Sequence, residues 1–301
     1  MDALLDLPQL RTFHVLAQTG SFTACARRLH RTQSAISHAM AKLETLVGTP
    51  LLRRRGRGLG LTEEGQRLFE ACERAFATLD AAADDLRQGR PGGRARLRLG
   101  ATVEFGSSIL MKHMGPFLAA HPHLDLAFTL SLDLLPPLLR DDLDLILDCH
   151  EHPHPGLLQV PLFRETYVVA CSPAFQKAHR LAAPEDLARC PVLSLDPAGA
   201  WWHRVLAALP EAGRPRLTRL IPINHVRAMI HAGVEGLGVL LAPHYAVLEE
   251  LRRGDLVALF PDLQPSEDRF SLYVKHVKAD QASIRAFTDY LKGLSPAEFG
   301  S

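Results

Sequence analysis

Apolar residues recur at helical spacing through the first fifty positions of the chain, and this pattern predicts three short helices. The first lies within residues 7–20, where Gly20 ends it, and Ser21 caps the second. Thr32 caps the third helix, which carries its apolar residues on one side, at Ile36, Met40, Leu43 and Val47. Two short helices joined by a tight turn are typical of a helix-turn-helix module.

The other side of the third helix is small and polar, which suits hydrogen bonding to base edges in a DNA major groove. The residues expected to contact DNA there are Thr32, Gln33, Ser34, Ser37, His38 and Lys42. A glycine-containing loop follows, with four arginines at Arg53, Arg54, Arg55 and Arg57. A solvated charge run is the alternative interpretation, but the position beside the third helix favours contacts with phosphates.

Charge and composition change this picture in two ways. Residues 1–61 hold nine Lys/Arg and three Asp/Glu, a net charge of +6, whereas the whole chain carries +1. A basic head on a mildly acidic body indicates a polyanion-binding module joined to something else. The length of 301 residues favours several domains, and 47% hydrophobic with 22% charged residues is ordinary for a globular protein.

Cellular location is predicted from cysteine usage and from apolar runs. The five cysteines are scattered and lack a CxxC pair, which fits reduced thiols in the cytosol. The chain start does not resemble a signal peptide, and no apolar run reaches the length of a membrane helix. We therefore expect a cytoplasmic protein without a membrane partner.

A long amphipathic helix is predicted over residues 62–89. Its apolar residues recur every seven positions and form an a/d seam across nearly three heptads. The residues expected to contact a second copy of the chain are Leu68, Cys72, Phe76, Leu79 and Leu86. Packing on its own domain is the alternative, but a coiled coil would place two heads on two DNA half-sites, which favours dimerisation. A hinge is predicted over residues 90–95.

Short strands and helices alternate from residue 96 onwards. Strands are predicted at Leu97–Gly100, Leu124–Leu130 and Leu143–Cys149, with helices at 107–119 and Leu134–Arg140 between them. This βαβαβ order predicts a parallel sheet. A second series of elements follows from Tyr167, and a strand at Leu272–Lys275 and a helix at Ser283–Leu291 end the domain. We predict two α/β lobes in a domain over residues 96–301, lobe I at about 96–161 and 265–293 and lobe II at about 162–264.

Ligands of parallel α/β sheets bind beyond the carboxyl ends of the strands. A small molecule is therefore expected between the two lobes, at residues that follow strands or begin helices. Those residues are Thr102, Val103, Glu104, Ser107, Ser131 and Asp148 in lobe I, and Leu195, Asp196, Asn224 and His225 in lobe II. Taken singly, each of them is more commonly an ordinary cap or loop residue.

A histidine-rich segment suits a different chemistry. The alternating histidines near Cys149 are of the type that binds Zn or Ni. The alternative function, a metal- or redox-responsive sensor, uses Cys149, His150, His152 and His154, although two neighbouring prolines favour a solvated connector. The sequence contains no Gly-x-Ser-x-Gly or Walker motif. We therefore expect a protein that is not an enzyme and that needs no cofactor or metal.

Residues 9–65 resemble the winged helix-turn-helix of the LysR-type transcriptional regulators. The resemblance rests on Leu10-x-x-Phe13, Gly20-Ser21-Phe22-Thr23-x-x-Ala26, Leu29-x-x-Thr32-Gln33-Ser34-Ala35-Ile36-Ser37, Leu43-Glu44, Gly48-x-x-Leu51-Leu52-x-Arg54 and Leu61-Thr62-x-x-Gly65. A looser resemblance to the family's effector domain rests on Leu143-Asp144-Leu145-Ile146 and on Gly233-x-x-Gly236-Leu237-Gly238-Val239.

The resemblance implies a multidomain fold. It implies a winged helix-turn-helix domain over residues 1–61, a linker and dimerisation helix over 62–89, and a two-lobed effector domain shaped like a periplasmic binding protein over 96–301. The implied function is sequence-specific regulation of transcription, modulated by a small-molecule effector. The implied partners are double-stranded DNA, the effector, further copies of the chain in a dimer and then a tetramer, and RNA polymerase.

Overall fold

A computed structural model of the 301-residue chain describes residues 5–55, 58–88, 94–263, 265, 267–295 and 299. These residues form an N-terminal domain, a long helix and a two-lobed α/β body. The three parts follow one another along the chain in the order that the hydrophobic pattern predicts.

The N-terminal domain contains three helices and a hairpin. They are α1 (Leu7–Thr19), α2 (Phe22–Arg28), α3 (Gln33–Val47) and the antiparallel strands β1 (Leu52–Arg55) and β2 (Gly58–Leu61). The predicted helix boundaries are confirmed, because Gly20 ends α1 at a φ of 60° and the Ser21 side chain accepts a hydrogen bond from Ala24 N. Thr32 caps α3 by accepting from Ala35 N. The core of the domain includes Phe13, Leu16, Ile36, Leu43 and Leu51.

Helix α4 (Glu63–Gln88) confirms the predicted long helix. Its first half packs on the N-terminal domain, where Cys72 and Phe76 are buried in the core of the same chain. Leu68 is half-buried against that core, whereas Leu79 is 50% and Leu86 70% exposed. The seam predicted for a partner therefore divides into a part that this chain covers and a part that faces solvent. Within the part of the chain that the structure describes, no helix is long and apolar enough to cross a membrane.

The body contains the remaining elements, which alternate between strand and helix. In chain order they are β3 (Ala95–Ala101), α5 (Val103–Phe105), α6 (Met111–Ala120), β4 (Leu124–Leu130), α7 (Leu135–Leu139), β5 (Leu145–Asp148), β6 (Leu157–Glu165), β7 (Tyr167–Cys171), α8 (Pro173–His179), β8 (Val192–Ser194), α9 (His203–Ala208), β9 (Leu220–Pro222), α10 (Val226–Val234), β10 (Leu240–Pro243), α11 (His244–Arg253), β11 (Val257–Ala258), β12 (Asp268–Lys275) and α12 (Ala282–Gly293). A π-helical turn at Gly106–Leu110 joins α5 to α6.

Lobe I is built on a five-stranded sheet with the order β4-β3-β5-β12-β6. The predicted βαβαβ unit is confirmed, since β3 pairs in parallel with β4 and β5. The strand predicted near Leu272–Lys275, for which the pattern gave no direction, is β12, and it runs antiparallel to both β5 and β6. Strand β12 is the return of the chain from lobe II, and its direction is set by that crossover.

Lobe II has an antiparallel sheet with the order β10-β7-β11, and β8 pairs in parallel with β9 beside it. Its second core contains the fully buried Trp202. The chain enters lobe II at Thr166, between β6 and β7, whereas the sequence predicts this boundary at 162. It returns between β11 and β12, the segment in which the prediction places the second boundary. The two crossovers leave a cleft between the lobes.

Candidate nucleic-acid interface and interlobe cleft

The polar side of α3 faces solvent. Because Ile36, Met40 and Leu43 are buried in the domain core, the opposite side of the helix is free to approach another molecule. All six residues predicted there for DNA contact are exposed, namely Thr32, Gln33, Ser34, Ser37, His38 and Lys42. Ser34, His38 and Lys42 line one shallow groove, which suits polar contacts along the length of the helix.

The β1–β2 hairpin is fixed to α3 by a carboxylate. Glu44 Oε1 accepts hydrogen bonds from Leu51 N at 2.8 Å and Leu52 N at 3.1 Å. Leu52 is the first residue of β1. Arg53 is exposed on β1. Arg54 and Arg55 pair in the backbone with Leu59 and Gly58, but their side chains, and the whole of Arg57, lie outside the described residues. Glu44 therefore fixes the orientation of the hairpin, with its exposed Arg53, relative to α3.

A cavity of about 390 Å³ lies between the two lobes. Six of the ten residues predicted for ligand contact line it, namely Thr102, Val103 and Glu104 from lobe I and Leu195, Asn224 and His225 from lobe II. They come together because β3, β8 and β9 end at this cleft. His225 also caps α10, since its Nδ1 accepts from Ala228 N at 3.4 Å.

The structure places the other four predicted residues outside the lining of this cavity. Ser107 Oγ donates to Val103 O at 2.8 Å, and Ser131 Oγ accepts from Asp133 N at 3.1 Å. The remaining two are carboxylates held by their own neighbours: Asp196 accepts from Ala200 N and Trp201 N, and Asp148 contacts His150 and His152. These four side chains stabilise turns and loops around the cleft.

Further cavity-lining residues lie at positions that the sequence analysis did not assign to the ligand site: Leu132, Cys149, His150, Glu165, Trp201, Val226, Pro243 and Tyr245. Glu165 is the last residue of β6, a strand that the hydrophobic pattern does not predict. Its buried residues, at Leu157, Val160, Phe163 and Glu165, do not follow a period of two, so the sequence carries little strand signal there. Tyr245 lies in the first turn of α11 and reaches the cleft only through the packing of lobe II.

Glu104 joins the two lobes through an arginine. Arg227 Nη2 of α10 lies 2.6 Å from Glu104 Oε1, and Arg227 Nη1 lies 2.9 Å from Glu250 Oε1. Ser108 Oγ also donates to Glu104 Oε1. The carboxylate of Glu104, with a side chain 7% exposed, is therefore paired with a cation in the structure.

Glu165 is the more deeply buried acid of the cleft, at 3% exposure. Tyr245 Oη donates to its Oε1 at 2.8 Å, and the Tyr167 hydroxyl contacts its Oε2. The same Tyr167 hydroxyl lies 2.7 Å from Asp268 Oδ2, and Asp268 accepts from Arg204 Nε at 3.1 Å. Burial raises the pKa of Glu165 above its usual range, since these two phenols do not replace the water that a free carboxylate binds.

The histidine-rich segment is a hydrogen-bonded loop in the structure. His150 Nδ1 and His152 Nε2 each lie 2.8 Å from a carboxylate oxygen of Asp148. Burial works to raise the pKa of Asp148, but these hydrogen bonds outweigh it and hold the pKa below its usual value. His154 instead accepts from Gly156 N at 3.1 Å, away from the pair. Burial also raises the pKa of the Cys149 thiol, which opposes the thiolate that a metal or redox site requires.

A winged helix-turn-helix head, a long connecting helix and a two-lobed α/β body with a ligand-sized cleft define a DNA-binding regulator with an effector domain. Comparison with protein families agrees. Residues 7–66 match the family described as "Bacterial regulatory helix-turn-helix protein, lysR family", and residues 90–295 match "LysR substrate binding domain". The chain belongs to the LysR family of transcriptional regulators.

Relatives and solved structures span the whole chain. The glycine cleavage system transcriptional activator of Escherichia coli (strain K12) is 30% identical over 307 residues, covering 98% of this chain and 95% of the relative. The transcriptional activator AmpR of Rhodobacter capsulatus is 30% identical over 296 residues, covering 97% and 98%. The fold is similar to that of ArgP from Mycobacterium tuberculosis, with a TM-score of 0.71 and 21% identity over 99% and 98% of the two chains.

Proposed function

We propose that the chain binds specific operator DNA through α3 and the β1–β2 hairpin, and that an effector bound between the lobes alters this binding. Ser34, His38 and Lys42 would contact base edges, and Arg53 with its neighbouring arginines would contact phosphates. The observation that carries the proposal is the exposure of all six predicted contact residues on one side of α3, beside a hairpin held by Glu44. The chain would act in the cytoplasm, where bacterial DNA is found.

The effector part of the proposal rests on the cleft. Predicted residues from both lobes, Glu104 and Asn224 among them, line one cavity. A ligand that contacts both lobes favours one arrangement of the lobes, and it shifts the population only as far as its affinities for the two arrangements differ. We propose that this shift reaches the DNA-binding domain through α4, which packs on both the head and lobe I.

Self-association is proposed through the outer part of α4. Leu79 and Leu86 are exposed and lie one heptad apart, which is the spacing of a coiled-coil seam. Pairing there would place two heads on two half-sites, and body-to-body contacts would extend the dimer to a tetramer. RNA polymerase is the proposed further partner on the promoter.

The test begins with full-length protein and a pool of random DNA duplexes, from which bound sequences are enriched and their affinities measured. Lys42→Ala should relax sequence preference and weaken binding to the enriched site by about tenfold. Arg53→Ala should instead weaken binding to every DNA sequence and lower the slope of log affinity against log salt concentration by about one. Lys112→Ala, an exposed change on α6 of the body, is the matched control and should bind as the unmodified protein does. Binding without sequence preference at physiological salt would refute the proposal.

A further inference from the structure

The lining of the cleft is acidic and apolar. Among the residues that the structure describes, this lining contains Glu104 and Glu165 but no lysine or arginine. Its walls include aliphatic and aromatic side chains, at Val103, Leu132, Leu195, Trp201 and Val226. A carboxylate ligand would find no lysine or arginine in this lining, whereas an ammonium group would find two carboxyl groups.

The two carboxyl groups differ in how they are compensated. Glu104 is paired with Arg227 at 2.6 Å, so its charge is balanced within the protein. The hydrogen-bond partners of Glu165 are the hydroxyl groups of Tyr167 and Tyr245, which carry no charge. Glu165 is therefore the carboxyl that gains most from a cationic partner in the cleft.

The hydrogen bonds of the Tyr167 hydroxyl indicate the protonation state of Glu165. One phenolic proton lies between two carboxyl oxygens, Glu165 Oε2 and Asp268 Oδ2. Asp268 also accepts from the cationic Arg204 guanidinium, so we assign the phenolic proton of Tyr167 to Asp268. The contact between Tyr167 and Glu165 then needs a proton on Glu165, which donates to the Tyr167 oxygen. Glu165 is a neutral acid in this arrangement.

We propose that the cleft binds a small organic amine with an apolar body, and that its ammonium group replaces the proton of Glu165. This inference rests on the proposed function and specifies the effector of its cleft. The ammonium ion enters from solvent and pairs with the Glu165 carboxylate, and one proton leaves Glu165 for solvent, so that no covalent bond changes. The groups that face Glu165 through this exchange are the Cys149 thiol, the Tyr167 and Tyr245 hydroxyls and the Asp268–Arg204 ion pair.

The experiment is titration calorimetry on the full-length protein with three probes of one shape: benzylamine, benzyl alcohol and benzoate. Benzylamine should bind most tightly and benzoate most weakly. Since one proton leaves per ligand, benzylamine affinity should rise by up to about tenfold per pH unit while Glu165 is protonated. Repeating the titration in buffers of different ionisation enthalpy should give about one proton released per ligand.

Variants assign the effect to Glu165. Glu165→Gln keeps the size of the side chain but cannot form the anion, so it should lose benzylamine affinity by at least about tenfold and lose the proton release. Glu249→Gln, the same change on the exposed side of α11, is the matched control and should keep both. His150 and His225 also line the cleft, so His150→Gln and His225→Gln should each keep the pH slope if it comes from Glu165.

Each contrary result overturns a defined part of the inference. Tighter binding of benzoate than of benzylamine, or no binding of any probe, overturns the ligand class, while the DNA selection described above tests the regulator function separately. Amine binding without proton release, or with a pH slope that disappears in His150→Gln or His225→Gln, overturns the exchange at Glu165. If Glu165→Gln does not fold, the pH slope and proton release of the unmodified protein decide the question.

Discussion

Lys275 Nζ lies 2.9 Å from Glu73 Oε1 and so joins strand β12 of lobe I to helix α4. The same ammonium group lies 3.0 Å from Asp141 Oδ2, and the Lys278 ammonium lies 2.9 Å from the other oxygen of Asp141. The Lys275 side chain is 6% exposed, so the contacts are shielded from water. Because α4 also packs on the N-terminal domain, this cluster connects the effector domain with the DNA-binding head.

Lys275→Met should lower the free energy of unfolding by about 2–4 kcal/mol, because two acids would remain half-buried with less compensation. The measurement is urea denaturation. Lys112→Met, on the exposed surface of α6, should change it by less than about 0.5 kcal/mol. The double variant Lys275→Met with Glu73→Gln should lose less free energy of unfolding than the two single variants lose together. Losses that add exactly would show that Lys275 and Glu73 are not coupled.

Gly65, near the start of α4, should tolerate no side chain. A Cβ atom there would lie 2.0 Å from the Leu51 carbonyl oxygen, which is far inside van der Waals contact. Gly65→Ala should therefore destabilise the protein by about 1–3 kcal/mol, measured by denaturation. Gly293 at the end of α12 has open space at the same point, so Gly293→Ala should change the free energy of unfolding by less than about 1 kcal/mol. Equal effects of the two substitutions would contradict the close approach at Leu51.

Features set by neighbours in the chain could be predicted from the sequence. Gly20, Ser21 and Thr32 end or begin helices through backbone conformation and hydrogen bonds a few residues away, and the structure has each where the pattern predicts it. The positions of Thr102 and Asn224 at the cleft could likewise be predicted, because each follows a strand of a parallel pair and ligands bind beyond the carboxyl ends of such strands.

Features set by distant packing could not be predicted in the same way. Strand β6 pairs with β12, more than a hundred residues later, and its Pro161 weakens the strand pattern. Because β6 was not predicted, the position of Glu165 in the cleft could not be predicted either. Asp196 follows a strand as predicted, yet its carboxylate caps the turn at Ala200–Trp202, a local competition that spacing alone does not resolve.

His14 should make the N-terminal domain sensitive to acid. The ring is buried and stacks on Phe69 at 5.2 Å between ring centres, and burial lowers the pKa of His14 to about 4 from its ordinary 6.5. The unfolded chain binds more protons between these values, so the contribution of His14 is complete above pH 6.5 and is lost as the pH falls towards 4. When the pH falls from 7 to about 4.5, the free energy of unfolding of the unmodified protein should drop by about 2 kcal/mol more than that of the His14→Gln variant. Urea denaturation at the two pH values measures this difference. His203→Gln, at an exposed position, should keep the original pH dependence.

Arg227→Met should open the contact between the two lobes. The guanidinium pairs with Glu104 of lobe I and Glu250 of lobe II, and its loss would leave the buried carboxylate of Glu104 without a cation. We expect the free energy of unfolding to fall by about 2–4 kcal/mol. The exposed pair of Arg253 and Glu249, each 66% accessible, is the matched comparison, and Arg253→Met should cost less than about 0.5 kcal/mol.

Hydrogen exchange separates a loosened contact between the lobes from general destabilisation. In Arg227→Met, amides at the cleft ends of α5 and α10 should exchange faster, whereas amides of the N-terminal helices should exchange as before, because the lost contact joins only the two lobes. Adding Glu104→Gln removes the unpaired charge and should restore part of the stability. A uniform rise in exchange across the chain, or a cost equal to that of Arg253→Met, would show that the pair at Glu104 does not hold the lobes together.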